Sequence, residues 1–317
     1  MNVITKKPLI ILTGPTAVGK TALSISLAKA VGGEMISADS MQVYRGMDVG
    51  TAKIRQEEMC GIPHYLIDVL DPKEAFNVTL FKQMALEAME NIYARGRIPI
   101  VVGGTGFYIQ ALLYDIDFSR HDDDMEYREE LMKLGSEKGA EYLHHMLSLV
   151  DGEAAKEIHA NNMKRVIRAL EYYYQTGEKI SVHNARQRES VSPYHFMYFV
   201  LNDDRAKLYQ RIEQRIDTML EDGLVEEVKK LKESGCHKGM VSMEGLGYKE
   251  ILDYLDGNCT LEEAVYILKR DTRHFAKRQL TWFKRERDVT WIDRQVYEND
   301  EKILETMLDM LRAKKII

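Results

Sequence analysis

At 317 residues, with 45% apolar and 30% charged side chains and a formal net charge of −6, the chain can bury a sizeable core, which argues against disorder and against a uniformly basic nucleic-acid coat. Cys60, Cys236 and Cys259 lie far apart and make no C-x-x-C pair, so neither a disulfide framework nor a zinc site is indicated, and a reducing cytoplasm fits. No apolar run reaches membrane length, and the run that follows the basic start is too short for a signal segment.

Residues 9–13 are an apolar run of strand type, followed by a glycine loop and a helical pattern over residues 20–31. Residues 34–39, 64–70 and 98–102 read as further strands, with a helix over 80–94 between the last two. Strands that alternate with helices predict an α/β fold: a parallel sheet covered on both faces. From about residue 119 the pattern changes to long polar helices, one of them over 161–175, which predicts an inserted all-helical domain at 119–194. Residues 195–201 and 289–292 return to strand character, and 207–233 carries Leu208, Ile212, Ile216, Met219, Leu220 and Leu224 at helical spacing. The predicted core domain is therefore 1–118 with 195–317.

Charge is unevenly placed along this frame. Asp122, Asp123, Asp124, Glu126, Glu129 and Glu130 surround Arg128, whereas Arg270, Arg273, Lys277, Arg278, Lys284, Arg285 and Arg287 outnumber Asp271 and Glu286. The second cluster can face phosphates or can be a solvated helix face.

Gly14-Pro15-Thr16-Ala17-Val18-Gly19-Lys20-Thr21 matches G-x-x-x-x-G-K-[ST] and lies between a predicted strand and a predicted helix. In such a loop the backbone N–H groups converge on an anion at a helix N-terminus. Lys20 adds a point charge, and the Thr21 hydroxyl is placed to ligate Mg²⁺. A diphosphate or a nucleotide such as ATP is the expected ligand. Most P-loop ATPases and GTPases carry an Asp at the end of a second apolar strand to hold the metal. Here residues 98–102 run into Gly103-Gly104-Thr105-Gly106 with no acid. Asp39, at the carboxyl end of the strand over 34–39, is the candidate instead. Ligands of open α/β sheets sit outside the carboxyl ends of the strands, so Asp39, Thr105 and the phosphate loop should meet in one crevice. Taken singly, Asp39 also reads as a helix N-cap or a kinase metal ligand, and Thr105 as a turn residue.

These residues resemble a known family, the tRNA dimethylallyltransferases. The resemblance rests on residues 14–21, on Asp39-Ser40-Met41-Gln42-Val43-Tyr44-Arg45-Gly46-Met47-Asp48 with Gly50-Thr51-Ala52-Lys53, and on Gly103-Gly104-Thr105-Gly106-Phe107-Tyr108. It continues through Arg165, Arg168, Ala169, Leu170 and Glu171, through Gln210-Arg211-Ile212-Glu213-Gln214-Arg215 and Gly247-Tyr248-Lys249, to Lys277-Arg278-Gln279-Leu280-Thr281-Trp282, and so spans almost the whole chain. Val18 departs from the pattern, where a small residue is common, as do Met243 and Glu244, where basic residues occur.

The resemblance implies a P-loop core with an inserted helical domain that together grip a tRNA anticodon stem-loop, and a cytoplasmic, monomeric enzyme with Mg²⁺ as cofactor. The implied reaction is attack by the N6 amine of the adenine 3′ of the anticodon on C1 of dimethylallyl diphosphate. Leaving-group charge would fall to Gly19, Lys20, Thr21, Mg²⁺ and Arg215. The amine must lose a proton as the bond forms, and Asp39 is the expected base, since an ordinary aspartate is ionised at neutral pH; Thr105 would hydrogen-bond the adenine or the diphosphate. A base within a stacked loop must be extruded to reach such a site. Asp39-Ser40-Met41-Gln42 would read it, while Arg128, Lys164-Arg165-Val166-Ile167-Arg168, Lys249 and Arg278 would hold the RNA. Arg211 shares a helix face with Arg215 but reads better as a surface ion pair with a neighbouring Glu. A small-molecule or nucleoside kinase is the competing expectation, and a non-catalytic RNA-binding protein with a relic loop is the third.

Overall fold

The structure is a computed structural model that describes residues 6–116, 118 and 125–317; Asp122, Asp123 and Asp124 of the predicted acidic cluster and the predicted start of the insertion at 119 lie outside them. The described residues up to Leu113, with Pro193–Ile317, form one compact unit, and Tyr114–Ser192 form a second.

The first unit is built on six parallel strands: β1 (Pro8–Thr13), β2 (Gly33–Ala38), β3 (His64–Tyr65), β4 (Ile98–Gly103), β5 (His195–Asn202) and β6 (Val289–Asp293). Their order across the sheet is β3-β2-β4-β1-β5-β6, with every pairing parallel. Pro-Leu-Ile-Ile-Leu-Thr of β1 lies at the centre, and all but its first residue are buried, as expected of a strand covered on both faces. Around the sheet stand α1 (Lys20–Val31), α2 (Val78–Ala94) and α3 (Gly106–Leu113). The second unit supplies α4 (Met125–Lys138), α5 (Ala140–Val150), α6 (Gly152–Glu157), α7 (Met163–Thr176) and α8 (Ile180–Glu189). The chain then returns to the first unit for α9 (Arg205–Glu221), α10 (Leu224–Glu233), α11 (Tyr248–Leu255), α12 (Leu261–Phe283) and α13 (Asp300–Ala313).

Two elements differ from expectation. The strand expected over 64–70 is only two residues long, because Leu66 and Asp68 take positive φ and leave Leu70 a single parallel bridge to Tyr44. The helix expected over 207–233 is two helices, broken where Gly223 adopts φ 97°. The break lets α10 turn back toward α11 while α9 keeps Ile212 and Ile216 inward.

The helical unit closes on a core of Leu131, Leu143, Leu147, Val166, Ile167 and Leu170. Buried Asp151 organises it: its carboxylate accepts from the Ala154 and Ser181 N–H groups and from the Ser181 hydroxyl. Burial alone would raise the Asp151 pKa, but these hydrogen bonds outweigh it and hold the carboxyl below its usual range.

Candidate active site

The phosphate loop leaves β1 at its carboxyl end and delivers the chain into α1, whose first turn contains no acid to compete for its N–H donors. Val18 is fully buried, so the unusual residue in the motif is a core side chain rather than a ligand contact. Lys20 folds back so that its Nζ donates to the carbonyls of Gly14 (3.0 Å) and Pro15 (2.9 Å). Arg215, reaching from α9, donates to Thr16 Oγ1 (3.4 Å) and to the Thr51 carbonyl (3.3 Å). Burial and then the nearby Arg215 guanidinium pull the Lys20 pKa down to about 8, while Asp39 partly opposes this. Two buried cations, both within electrostatic reach of Asp39, fit a site shaped for a diphosphate.

Across the crevice, Asp39 follows the last residue of β2. Its Oδ1 accepts from the N–H groups of Met41 (2.8 Å) and Gln42 (3.3 Å). The capping interaction that the residue type suggests is therefore present, but it uses one oxygen, and Oδ2 accepts no hydrogen bond among the described residues. Thr105 N–H donates to the Ala38 carbonyl (3.2 Å), so the threonine and the aspartate hang from the same residue of β2. The Thr105 hydroxyl has no hydrogen bond among the described residues.

The glycines around Thr105 are explained by close approach. A Cβ on Gly103 would lie 2.2 Å from the Ala38 carbonyl oxygen, one on Gly104 2.2 Å from Gln279 Nε2, and one on Gly106 2.2 Å from the Trp282 ring. Gln279 and Trp282 stand one turn apart on α12, so that helix lies directly on the loop. Both ends of the buried Gln279 amide are engaged: Oε1 accepts from Thr16 N–H (2.9 Å) and Nε2 donates to the Gly104 carbonyl (3.0 Å).

A second organising group carries no signal in the sequence. The Glu227 carboxylate on α10 accepts from the backbone N–H groups of Asp48 (2.8 Å), Val49 (2.8 Å) and Gly50 (3.0 Å) and from the Tyr248 hydroxyl (2.7 Å). Burial, reinforced by Glu227, raises the Tyr248 pKa. Three convergent N–H groups that hold a carboxylate explain why the Asp48–Gly50 and Gly247–Lys249 segments belong together. No residue-type pattern marks Glu227, because its partners are mostly backbone.

These elements line a cavity of about 340 Å³, whose lining includes polar Thr16, Asp39, Ser40, Thr105, Arg215 and Lys249 and apolar Ile212, Ile216, Met219, Leu246, Leu268 and Phe275. It can take a short apolar tail beside a polar head. Met41 and Arg278 also line it, the guanidinium 5.8 Å from the Phe275 ring. The Gln42 amide is occupied by Ser37 and Thr51, and Lys249 pairs with Glu250 (3.4 Å).

Elsewhere the expected RNA contacts divide. Lys164 and Arg165 are positioned at the start of α7, where Arg165 is exposed, and Arg168 is half-buried. Val166 and Ile167 are core residues of the helical unit, which withdraws their side chains from any RNA contact. Arg128 makes a two-pronged ion pair with buried Glu171 (2.9 and 3.1 Å). Arg211 pairs with Asp203, the residue before the helix N-cap, rather than with a neighbouring Glu. Within the basic segment, Arg270 pairs with Asp271 and Arg273 with Glu213, but Lys277, Lys284 and Arg285 are exposed without an ion pair among the described residues. Met243 is fully buried, and Glu244 lines the cavity.

For a metal, no group of three His, Cys, Asp or Glu side chains converges among the described residues. The exposed Thr21 hydroxyl at the mouth of the loop is a fitting single ligand for Mg²⁺, which takes most of its oxygens from phosphate and water.

Comparison with known proteins agrees with this geometry. The IPP transferase family model matches residues 42–286. A tRNA dimethylallyltransferase of Lachnoclostridium phytofermentans is 60% identical over 311 residues, which is 98% of this chain and 99% of that protein. One from Acetivibrio thermocellus is 51% identical over 298 residues, 94% and 95% of the two chains. Among solved structures, the full-length tRNA isopentenylpyrophosphate transferase of Bacillus halodurans superposes with a TM-score of 0.74 at 46% identity and 98% coverage of both chains. A eukaryotic dimethylallyltransferase acting on tRNA superposes with a TM-score of 0.81 at 30% identity, over 97% of this chain and 80% of that one. By matches that extend through the phosphate loop and over nearly its full length, the chain belongs to the IPP transferase family.

Proposed function

We propose that the protein transfers the dimethylallyl group of dimethylallyl diphosphate to the N6 amine of the adenosine at tRNA position 37, 3′ of the anticodon. The observation that carries this reading is the cavity itself: Thr16 and Arg215 of the diphosphate site line it together with Asp39, Thr105 and the apolar Ile212, Ile216 and Met219, and β4 ends in glycine where an NTPase would carry its acid.

In this reading the diphosphate lies on the Gly14–Thr21 loop with Lys20 and Arg215 beside it, and the prenyl chain lies against Ile212, Ile216 and Met219. The adenine enters beside Asp39 and Thr105. The N6 lone pair attacks C1, the C1–O bond breaks, and diphosphate leaves with the bonding electrons. Asp39 Oδ2 accepts the N6 proton, and the Thr105 hydroxyl hydrogen-bonds the base or the diphosphate. Lys20, Arg215 and the loop N–H groups receive charge where it accumulates, so they stabilise the transition state more than the ground state. Bound Mg²⁺, held by Thr21 and the diphosphate, would neutralise part of that charge. The apolar wall keeps water from an electrophilic carbon.

The helical unit, through Lys164, Arg165 and Arg168, and the exposed cations of α12 are assigned to the anticodon stem-loop. Ser40, Met41 and Gln42 are assigned to the extruded base. Three free cysteines and a tRNA substrate support action in the cytoplasm.

The deciding experiment supplies dimethylallyl diphosphate, Mg²⁺ and tRNA with adenine 3′ of the anticodon, without ATP. The RNA should gain the mass of one C5 prenyl unit, and replacing that adenine should abolish the gain. Transfer of the ATP γ-phosphate to a small molecule, with the RNA unmodified, would establish the kinase reading instead.

A further inference from the structure

The reaction proposed for this site needs two loops at a fixed separation: the phosphate loop, which carries the leaving group, and the Gly103–Gly106 loop, whose Thr105 stands with Asp39 where the adenine enters. Only part of their spacing is set by the sheet. Thr13 Oγ1 donates to the Gly103 carbonyl (2.6 Å) at the ends of β1 and β4, but beyond that point both loops leave the ladder. The group that spans them there is the Gln279 side chain, with one amide atom on Thr16 and the other on Gly104.

We propose that Gln279 is a positioning residue for prenyl transfer, its amide setting the distance between the leaving diphosphate and the attacking amine. The amide belongs to neither loop and comes from α12, so neither loop's own conformation can substitute for it. It is 6% exposed, so the amide itself is largely withdrawn from water. One end meets a backbone donor and the other a backbone acceptor, a pairing that glutamine can satisfy and that ionised glutamate, methionine or the shorter asparagine cannot. Its partners flank the chemistry: Thr16 also receives the Arg215 guanidinium, and Gly104 immediately precedes Thr105.

The inference rests on the prenyl-transfer reading, and its signature differs from loss of binding. Each loop keeps its own ligand contacts when the bridge is cut, whereas the alignment of amine, C1 and departing oxygen is disturbed. Misplacement of about 1 Å costs on the order of 10²-fold in rate. A misaligned amine also leaves C1 open to water: the water oxygen bonds to C1, the C1–O bond breaks, diphosphate departs with the electron pair, and the water proton passes to solvent. Dimethylallyl alcohol then appears in place of prenylated RNA.

The test compares wild type with Gln279→Glu and Gln279→Met in single turnover, with separate titrations of inorganic pyrophosphate and of an anticodon stem-loop. Glutamate keeps the bond from Thr16 and places an oxygen against the Gly104 carbonyl; methionine keeps the shape and removes both bonds. The expected result is transfer slowed by about 10²-fold with both affinities within about threefold of wild type, and a larger share of alcohol among the products. Gly104→Ala, which drives a methyl into Nε2, should reproduce the same partition from the opposite side. Unchanged transfer in the variants overturns the proposal. So does a loss of transfer that merely parallels weaker pyrophosphate binding and a lower unfolding midpoint, which would make Gln279 a packing residue. If wild type itself yields no prenylated RNA, the activity reading fails, and that result is separate.

Discussion

The diphosphate cradle and the helical unit both present cations, and they hold them in opposite ways. Lys20 and Arg215 are tied by hydrogen bonds to loop carbonyls and to Thr16, and burial lowers the pKa of each. Lys164 and Arg165 open a helix whose opposite face, Val166, Ile167 and Leu170, fills a core. The first arrangement fits charge placed for a transition state, where position matters more than number. The second fits charge that attracts a polyanion, where number and salt matter more than position. The two should therefore respond differently to the same kind of substitution.

The largest effect belongs to the cradle side of this contrast. Asp39→Asn preserves the Oδ1 contacts to Met41 and Gln42 but replaces the proton-accepting oxygen by an amide. Single-turnover transfer should fall about 10²-fold or more while stem-loop and pyrophosphate affinities hold, as for a general base that has been removed. A near-normal rate would exclude Asp39 from the proton transfer and leave it only its turn.

Lys20 gives the next effect, through pH. In the free protein its pKa is lowered to about 8, and a diphosphate binds the charged form better. A group lowered in the free state and restored on binding requires proton uptake above its pKa. Affinity should then decline as pH rises past about 8, by at most about tenfold per unit. The measurement is the ratio of wild-type to Lys20→Met pyrophosphate affinity across about two pH units centred near that pKa, since the ratio cancels the ligand's own ionisation. A ratio that stays flat would mean that Lys20 is charged throughout and that Arg215 does not press on it.

How much of this contrast can be read without coordinates depends on whether a feature is local. The phosphate loop, the parallel sheet and the Asp39–Thr105 pairing are legible because each follows from a short segment plus the rule that sites collect at the carboxyl ends of strands. The strand at 64–70 shrinks to the two residues of β3 because its strand-like residue types do not disclose the positive φ values among them. Glu227 and Gln279 are illegible as site builders: their main partners are backbone groups more than 170 positions away. Val166 and Ile167 turn inward because a motif match covers every residue of a helical turn, whereas RNA can touch only its outer face.

A smaller effect tests the exposed cations of α12 and the turn that follows it. Replacing Lys277, Arg278 and Lys284 together should weaken stem-loop binding and flatten the dependence of log K on log salt by about 0.7–0.9 for each phosphate no longer neutralised. Pyrophosphate affinity should stay the same when Lys277 and Lys284 alone are replaced, since Arg278 also lines the cavity. An unchanged slope would make this segment a solvated face and leave the helical unit as the sole source of the diffuse cations in the comparison.

The smallest effect concerns Arg128, where the contrast is sharpest because the residue type alone suggests an RNA contact. Its guanidinium holds the Glu171 carboxylate in both prongs, and that carboxylate side chain is 5% exposed while Arg128 is 38% exposed. Removing the arginine leaves a buried charge without its partner. Because one side of the pair meets water, the cost should be on the order of 1–2 kcal/mol, below that of a fully buried pair. A similar cost follows from Glu171→Gln, which cuts the pair from the other end without touching any cation that could meet RNA. If Arg128 is a brace, Arg128→Ala and Glu171→Gln should lower the unfolding midpoint of the helical unit to a similar degree, and the salt slope of RNA binding should be the same for both and for wild type. If Arg128 meets phosphate, only Arg128→Ala will reduce the slope, by nearly one unit for the single phosphate involved. The double variant decides how the two residues are linked: its stability should approach that of Glu171→Gln alone, because once the carboxylate is neutral the arginine no longer offsets a buried charge.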